Sequence, residues 1–529
     1  MQINGHLLVG GEDVCVDGAR FKAFDPARAI ELEPAFCVAD AQVIDSACEL
    51  AVAAFDAYRE TTPEARAQLL EAIATELDII GEALVERAMA ETALPRARLE
   101  GELGRTTGQL RLFAAVVRAG HWQGVTLDRA LIERQPQRPD LRRRNIPLGP
   151  VAVFGASNFP LAFSVTGGDT VSALAAGCPV VVKAHPAHPG TSELAGRAIC
   201  KAVRACGLPD GAFSLIQGND HASGEALVKH PGIRAVGFTG SRSGGLALMR
   251  HAAARTAPIP VYAEMSSVNP MYLLPAALAA RAETLAQGFV DALTLGCGQF
   301  CTNPGLLLGI DGSDLDQFIL ATSDAIAIKP QGAMLSAGIH AAFMAATESL
   351  STHAGVTRIA ASRDSGDSCG ARPQFFATDA ETFLANSMLQ DEIFGPVSVL
   401  VRCRDAREML RVTDHLEGQL TATLHMDAAD LPLARELLPK LERLAGRVLA
   451  NGFPTGVEVS YAMVHGGPFP ATSDGRTTSV GTAAIERFLR PVCYQNLPSE
   501  LLALAVADDN PLALWRTLDG SLTAPALSA

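Results

Sequence analysis

An α/β fold with mainly parallel sheets is what this chain predicts, on two observations. From residue 150 onward, short β-rich runs alternate with alanine-rich helical stretches, and a second series of the same kind follows residue 264. Such alternation implies βαβ crossovers, because parallel neighbours need a connection long enough to hold a helix. The first series reads as strand Val151 to Phe154, a helix near 165 to 176, strand Pro179 to Lys183, and a helix over 190 to 206. It continues with strand Ser214 to Gln217, a helix over 221 to 229 and strand Ala235 to Thr239. The second includes Met271 to Leu274, a helix over 281 to 294, Leu306 to Ile310, Val397 to Arg402 and Val448 to Ala450. Upstream, Leu69, Leu70, Ile73, Leu77, Ile80 and Leu84 recur at helical spacing and predict one amphipathic helix over 65 to 90. Pro95 closes the helical run that follows, and a further helical pattern spans about Arg98 to Arg118.

With 529 residues, 48% of them hydrophobic, the chain can build several cores, and its length predicts two to three domains. The formal charge of -14 argues against a polyanion-binding surface, so nucleic acid is not an expected partner and Arg142-Arg143-Arg144 needs a local explanation. Eleven scattered cysteines and a start without a charged n-region or an apolar h-region point to a reducing cytoplasm without disulfides. No apolar run approaches the roughly 18 residues of a membrane helix. Cys297 and Cys301 have no second Cys or His pair near them at ligand spacing, so no metal site is expected. There is no internal repeat, and the tail over 505 to 529, rich in Ala, Leu and Pro, has no readable role.

Gly298-Gln299-Phe300-Cys301, downstream of Glu264-Met265-Ser266-Ser267, pairs a cysteine in a glycine-rich segment with a carboxylate suited to act as a base. A thiolate can add to a carbonyl, and a carboxylate can then draw a proton from the water that releases the acyl product. Either motif alone is weak: a lone buried cysteine is usually inert, and a lone glutamate after a strand is usually a solvated end.

Further phrases accompany the pair in order. They are Asn158-Phe159-Pro160-Leu161, Val180-Val181-Val182-Lys183, Gly237-Phe238-Thr239-Gly240-Ser241 and Glu392-Ile393-Phe394-Gly395-Pro396-Val397. Together they resemble the aldehyde dehydrogenase superfamily over roughly residues 10 to 498. The resemblance implies a cofactor domain from 1–123 and 148–265, a catalytic domain over 266–480, and a tail over 499–529. It also implies an antiparallel oligomerisation arm from 124–147 and 481–498, through which homodimers or homotetramers form; Arg142 to Arg144 fall in that arm. It makes Cys301 the nucleophile, with a site that helps ionise its thiol. Asn158, together with the Cys301 backbone N–H, becomes the oxyanion donor pair and Glu264 the base. Lys183 is implied at the adenosine ribose, Gly240 and Ser241 at the pyrophosphate, and Glu392 and Phe394 at the nicotinamide ribose and ring.

NAD-preferring members carry a Glu three residues after this lysine, where the chain has Pro186 in Lys183-Ala184-His185-Pro186. Losing that carboxylate removes a charge that would repel a 2'-phosphate, and Lys183 with His185 could attract one, which favours NADP over NAD. Glu91-Thr92-Ala93-Leu94-Pro95, the run Gly104 to Leu110, and Val464-His465-Gly466-Gly467-Pro468 look like the branch acting on α-ketoglutaric semialdehyde. A branch of NADP-dependent long-chain aldehyde dehydrogenases shares much of this. His465 replaces an aromatic tunnel wall and implies a smaller, more polar channel. Arg105, with Gln109, is expected to bind the far carboxylate of a short semialdehyde, with Phe159, Phe163 and Phe453 lining the walls. Two rival readings are a cysteine enzyme releasing acyl to CoA, against which Glu264 speaks, and a silent scaffold, against which both Cys301 and Glu264 speak.

Overall fold

The computed structural model describes residues 2–363 and 369–524. Its first sheet has seven strands in the order Val261–Glu264, Ala235–Thr239, Val151–Phe154, Val180–Lys183, Phe213–Ile216, Leu7–Val9 and Glu12–Val14. The first five are parallel. An N-terminal hairpin, which the sequence pattern did not single out, closes the far edge antiparallel through a Gly10-Gly11 turn with φ of +56° and +79°. Alternate side chains feed cores on the two faces: Val151, Val153, Val180 and Val182 on one, Ala152, Val181, Ile216 and Val236 on the other.

The second sheet also has seven strands, in the order Val356–Ala361, Gln374–Asp379, Val397–Cys403, Leu306–Ile310, Met271–Leu273, Gln419–His425 and Ala445–Ala450. Only the first pair is antiparallel.

The stretch expected as one helix over 65 to 90 is two, Pro63–Ile79 and Gly81–Thr92, parted at Ile80 (φ −95°, ψ 8°). The apolar spacing continues across the break because Leu69, Leu77 and Leu84 enter the same core. The next helix, Arg96–Ala119, starts after Pro95 and stops at Gly120, whose φ is +71°.

A five-stranded sheet runs Leu489–Gln495, Leu141–Pro147, Thr126–Asp128, Arg516–Leu518 and Ser521–Thr523. The tail, which had no readable role, therefore supplies two of its strands; its last five residues, 525–529, lie outside the described ones. The arginine run is spent inside this sheet. Arg142 binds Asp140 and the Val506 carbonyl at 2.8 Å each, Arg143 the Thr126 hydroxyl at 3.0 Å and Arg144 the Tyr494 hydroxyl at 3.1 Å. Among the described residues no helix is long and apolar enough to cross a membrane.

Candidate active site

Glu264 is the last residue of its strand, and Asn158 lies in the loop after Val151–Phe154. Cys301 follows an irregular turn, Leu295–Gly298, in which Gly296, Cys297 and Gly298 all have positive φ, between +54° and +65°. Position 298 requires glycine, because a Cβ there would lie 2.3 Å from the Gly395 carbonyl carbon. This close approach seats the cysteine loop on the Glu392-to-Val397 phrase. Asn303 reinforces it by donating to the Gly395 carbonyl at 3.1 Å, while Asn269 donates to the Cys301 and Asn303 carbonyls at 2.9 Å.

His465, fully buried, joins Cys301 and Glu264. Its Nε2 stands 3.4 Å from Cys301 Sγ and 2.9 Å from Glu264 Oε1. Ser479 Oγ donates to the other carboxylate oxygen at 2.6 Å. Burial alone would raise the Glu264 pKa, but His465, Ser479 and Cys301 outweigh it and hold the carboxyl below its usual value. A carboxylate can only accept, so the proton between His465 and Glu264 sits on Nε2. The imidazole is thus more than a channel wall: its ring centroid is 6.2 Å from that of Phe163, and its Nε2 meets the Cys301 thiol and the Glu264 carboxylate. The three ligand-type atoms lie within 4.8 Å of one another, a donor set that the sequence spacing did not suggest.

The expectation that the site helps ionise the thiol is corrected. Burial first, then Glu264 and Glu392, push the Cys301 pKa well above its ordinary value, against the opposing pull of Arg105 and Arg447. In this arrangement the resting thiol keeps its proton. Asn158 is buried beside it, its Nδ2 donating to the Gln299 carbonyl at 3.0 Å.

Residues 16–490 match the sequence profile of the Aldehyde dehydrogenase family. The chain belongs to that family. It is 58% identical over 522 residues to an alpha-ketoglutaric semialdehyde dehydrogenase 2 of Azospirillum brasilense, covering 98% of this chain and 99% of that one. It is 48% identical over 525 residues to an alpha-ketoglutaric semialdehyde dehydrogenase of Acinetobacter baylyi, with the same coverage. Among solved structures, a betaine aldehyde dehydrogenase of Staphylococcus aureus in complex with NAD+ superposes with a TM-score of 0.80 at 19% identity, over 94% of this chain and 98% of that one.

In this aldehyde dehydrogenase, Ser241 caps the helix Arg242–Ala253 and accepts from Gly244 N at 3.2 Å, with both Ser241 and Ser243 exposed at the helix start. Gly240 N donates to the Glu264 carbonyl at 3.1 Å, which ties this turn to the end of the Glu264 strand. Lys183 is buried; its amine donates to the carbonyls of Gly218 at 2.9 Å and Ala184 at 3.5 Å, and burial lowers its pKa to about 8. His185 is corrected as a source of positive charge: burial, His188 and Lys183 drive its pKa far down, and its Nδ1 accepts from Ala187 N at 3.1 Å, so the ring is neutral. Glu392 lines a cavity with Ser267, Val268, Gly298 and Phe394, and burial lifts its pKa to about 8, so it carries a proton at neutral pH.

The substrate-side residues divide. The Arg105 guanidinium lies over the Phe163 ring at 5.0 Å, Phe163 meets Phe159 edge to face at 5.2 Å, and Arg105 Nη2 is buried without a hydrogen-bond partner. Gln109 is buried too, but packs against Gly168. Phe453 turns elsewhere, its ring 5.1 Å from that of His425 and over Gly288. Ser479, Asn269 and Arg98 were not singled out from sequence; each acts on a partner far away in the chain, and such pairing leaves no local pattern.

Proposed function

We propose that this enzyme oxidises α-ketoglutaric semialdehyde (2,5-dioxopentanoate) to 2-oxoglutarate. The observation that carries the reading is Arg105, a largely buried guanidinium with an unpartnered Nη2, stacked on the same Phe163 that neighbours His465 and, through it, Cys301. A buried cation short of partners is costly unless a ligand brings the anion, and the far carboxylate of a short semialdehyde does so. The two semialdehyde dehydrogenases at 58% and 48% identity support the same choice.

The donor set suits a pyridine dinucleotide. An exposed helix start offers N–H groups to a pyrophosphate, the Lys183 ammonium faces carbonyl oxygens, and protonated Glu392 can both donate to and accept from a ribose hydroxyl. Pro186 puts no carboxylate where it would repel a 2'-phosphate, which supports NADP ahead of NAD, with Lys183 as the attracting charge in place of His185.

Cys301 gives its thiol proton to the Glu264–His465 pair and its sulfur adds to the aldehyde carbon. Asn158 Nδ2 and the Cys301 backbone N–H take the oxyanion. NAD(P)+, held by Lys183, the Ser241 helix start and Glu392, would supply the acceptor for the hydride whose loss leaves a thioester on Cys301. Glu264, having released that proton to solvent, takes one from water, whose oxygen attacks the thioester carbon and expels the Cys301 sulfur as a thiolate. Leu489–Gln495 stands at an edge of the five-stranded sheet, which supports that sheet as the arm pairing subunits into a homodimer or homotetramer.

The test is NAD(P)H absorbance with 2,5-dioxopentanoate and with hexanal, using each cofactor, with and without CoA. The dicarboxylic semialdehyde is expected to give the higher kcat/KM without CoA. Preference for hexanal, or dependence on CoA, overturns the proposal.

A further inference from the structure

Arg98 lies outside the residues assigned above, yet it contacts Asn158 and the residue before Cys301, the two segments that carry the proposed oxyanion donors. Its Nη2 donates to the backbone carbonyl of Asn158 at 2.7 Å. Its guanidinium lies 4.8 Å from the ring of Phe159, the residue after Asn158, and 4.6 Å from the ring of Phe300, the residue before Cys301. Those two rings meet edge to face at 5.2 Å and 89°. Nη1 fills the space over Gly296, where an added Cβ would lie 2.5 Å from it, so the same side chain also rests on the turn that delivers the cysteine.

The cation is secured from behind. Glu102 stands 3.9 Å from Arg98 and accepts from the Leu161 and Ala162 amides at 2.9 Å each, fixing the loop just after Phe159. Burial lowers the Arg98 pKa and Glu102 opposes the shift. A planar guanidinium can stack on two rings and still donate in its own plane, which an ammonium cannot do.

We infer that Arg98 is a positioning residue, which sets the distance between the Asn158 amide and the Cys301 backbone N–H. This rests on the thiol chemistry proposed above. Oxyanion donors stabilise the transition state only at the right spacing, and loss of one costs about 100-fold to 1000-fold in kcat. A residue that acts through their placement should therefore matter only while Asn158 is present.

The experiment is a double-mutant cycle on p-nitrophenyl acetate hydrolysis, which uses the same thiol attack and the same oxyanion but neither aldehyde nor nicotinamide. Arg98→Met is expected to lower the acylation rate about 100-fold in the parent. In the Asn158→Ala background it is expected to cost less than about threefold. Alkylation of Cys301 by iodoacetamide, which forms no oxyanion, should stay within about twofold of the parent in both backgrounds. Equal losses in the two backgrounds, or a matching loss of alkylation rate, would overturn the inference, as would a parent that does not hydrolyse the ester. A parent that hydrolyses the ester but oxidises no aldehyde overturns the proposed function and leaves the cycle readable. Should Arg98→Met not fold, Arg98→Lys carries the same cycle, keeping the charge and losing the planar face.

Discussion

Replacing Arg105 by methionine separates recognition of the far end of the substrate from the chemistry at Cys301. Methionine keeps an unbranched stem against Phe163, so the aromatic wall formed with Phe159 retains its support. What is lost is the guanidinium, whose Nη2 is buried and unpartnered before substrate arrives. Burial lowers the Arg105 pKa while Glu102, Cys301 and Glu264 raise it, so the cation is already desolvated and little of that cost falls on binding. Truncating one side of a buried charge pair costs about 2 to 5 kcal/mol, which is about 30-fold to several thousandfold in kcat/KM. Steady-state kinetics on 2,5-dioxopentanoate should show that loss, whereas hexanal, which has no distal carboxylate, should change less than about threefold. Equal losses on both substrates would mean that Arg105 supports the fold or the thiol and does not recognise a carboxylate.

Three further outcomes follow from the same geometry. His465→Phe removes a donor from Glu264; because that donor holds the Glu264 pKa down, activity now lost only as pH falls through a depressed pKa should be lost at higher pH, and the acid limb of acyl-enzyme hydrolysis moves up. An unmoved limb would remove His465 from the ionisation of Glu264. Burial lowers the Lys183 pKa to about 8, so binding titrations should show the proposed preference for NADP over NAD shrinking between pH 7 and pH 9 as that charge is lost, and a constant ratio would exclude Lys183 as the phosphate partner. Gly298→Ala meets both a positive φ of +65° and the Gly395 backbone at 2.3 Å, whereas Gly207→Ala meets a φ of +63° with nothing within 4 Å. Strain alone costs about 1 to 2 kcal/mol, so Gly298→Ala should lower the melting temperature further than Gly207→Ala and also slow the enzyme; equal shifts would deny the close approach its role.

Buried parallel strands were the most legible elements, since they read as continuous apolar runs ended by Gly, Pro or a polar residue. Val151–Phe154, Ala235–Thr239 and Leu306–Ile310 have the bounds their sequences suggest. The edge strand Val356–Ala361, with Thr357 and Arg358 exposed, carries no such run. The tail strands were invisible for another reason. Arg516 is fully buried there against the carbonyls of Ala507 and Asp508, and nothing in a short polar triplet announces a buried arginine. At the site, Cys301 and Glu264 stand out because each sits in a distinctive local phrase. Ser479, 215 positions from Glu264, and Arg98, 60 from Asn158, become visible only when the sheets bring them together.

The protonated thiol poses the question of how a cysteine beside two acids would serve as the proposed nucleophile. Glu264, Glu392 and Cys301 are electrostatically coupled, with Arg105 and Arg447 as nearby cations, and they do not all carry charge: Glu392 keeps its proton, and Glu264 holds the negative charge at the expense of the thiol. For closely coupled groups the charge belongs to the set, and a proton moving from Cys301 to Glu264 relocates it without adding another. His465 Nε2 sits between the two sites, 3.4 Å from the sulfur and 2.9 Å from the carboxylate, where its N–H can follow the charge from oxygen to sulfur. Negative charge is needed on sulfur for addition and, after Glu264 has released the thiol's proton to solvent, on Glu264 for hydrolysis. Nucleophile and base need not be ionised together, because the two half-reactions never require both at once.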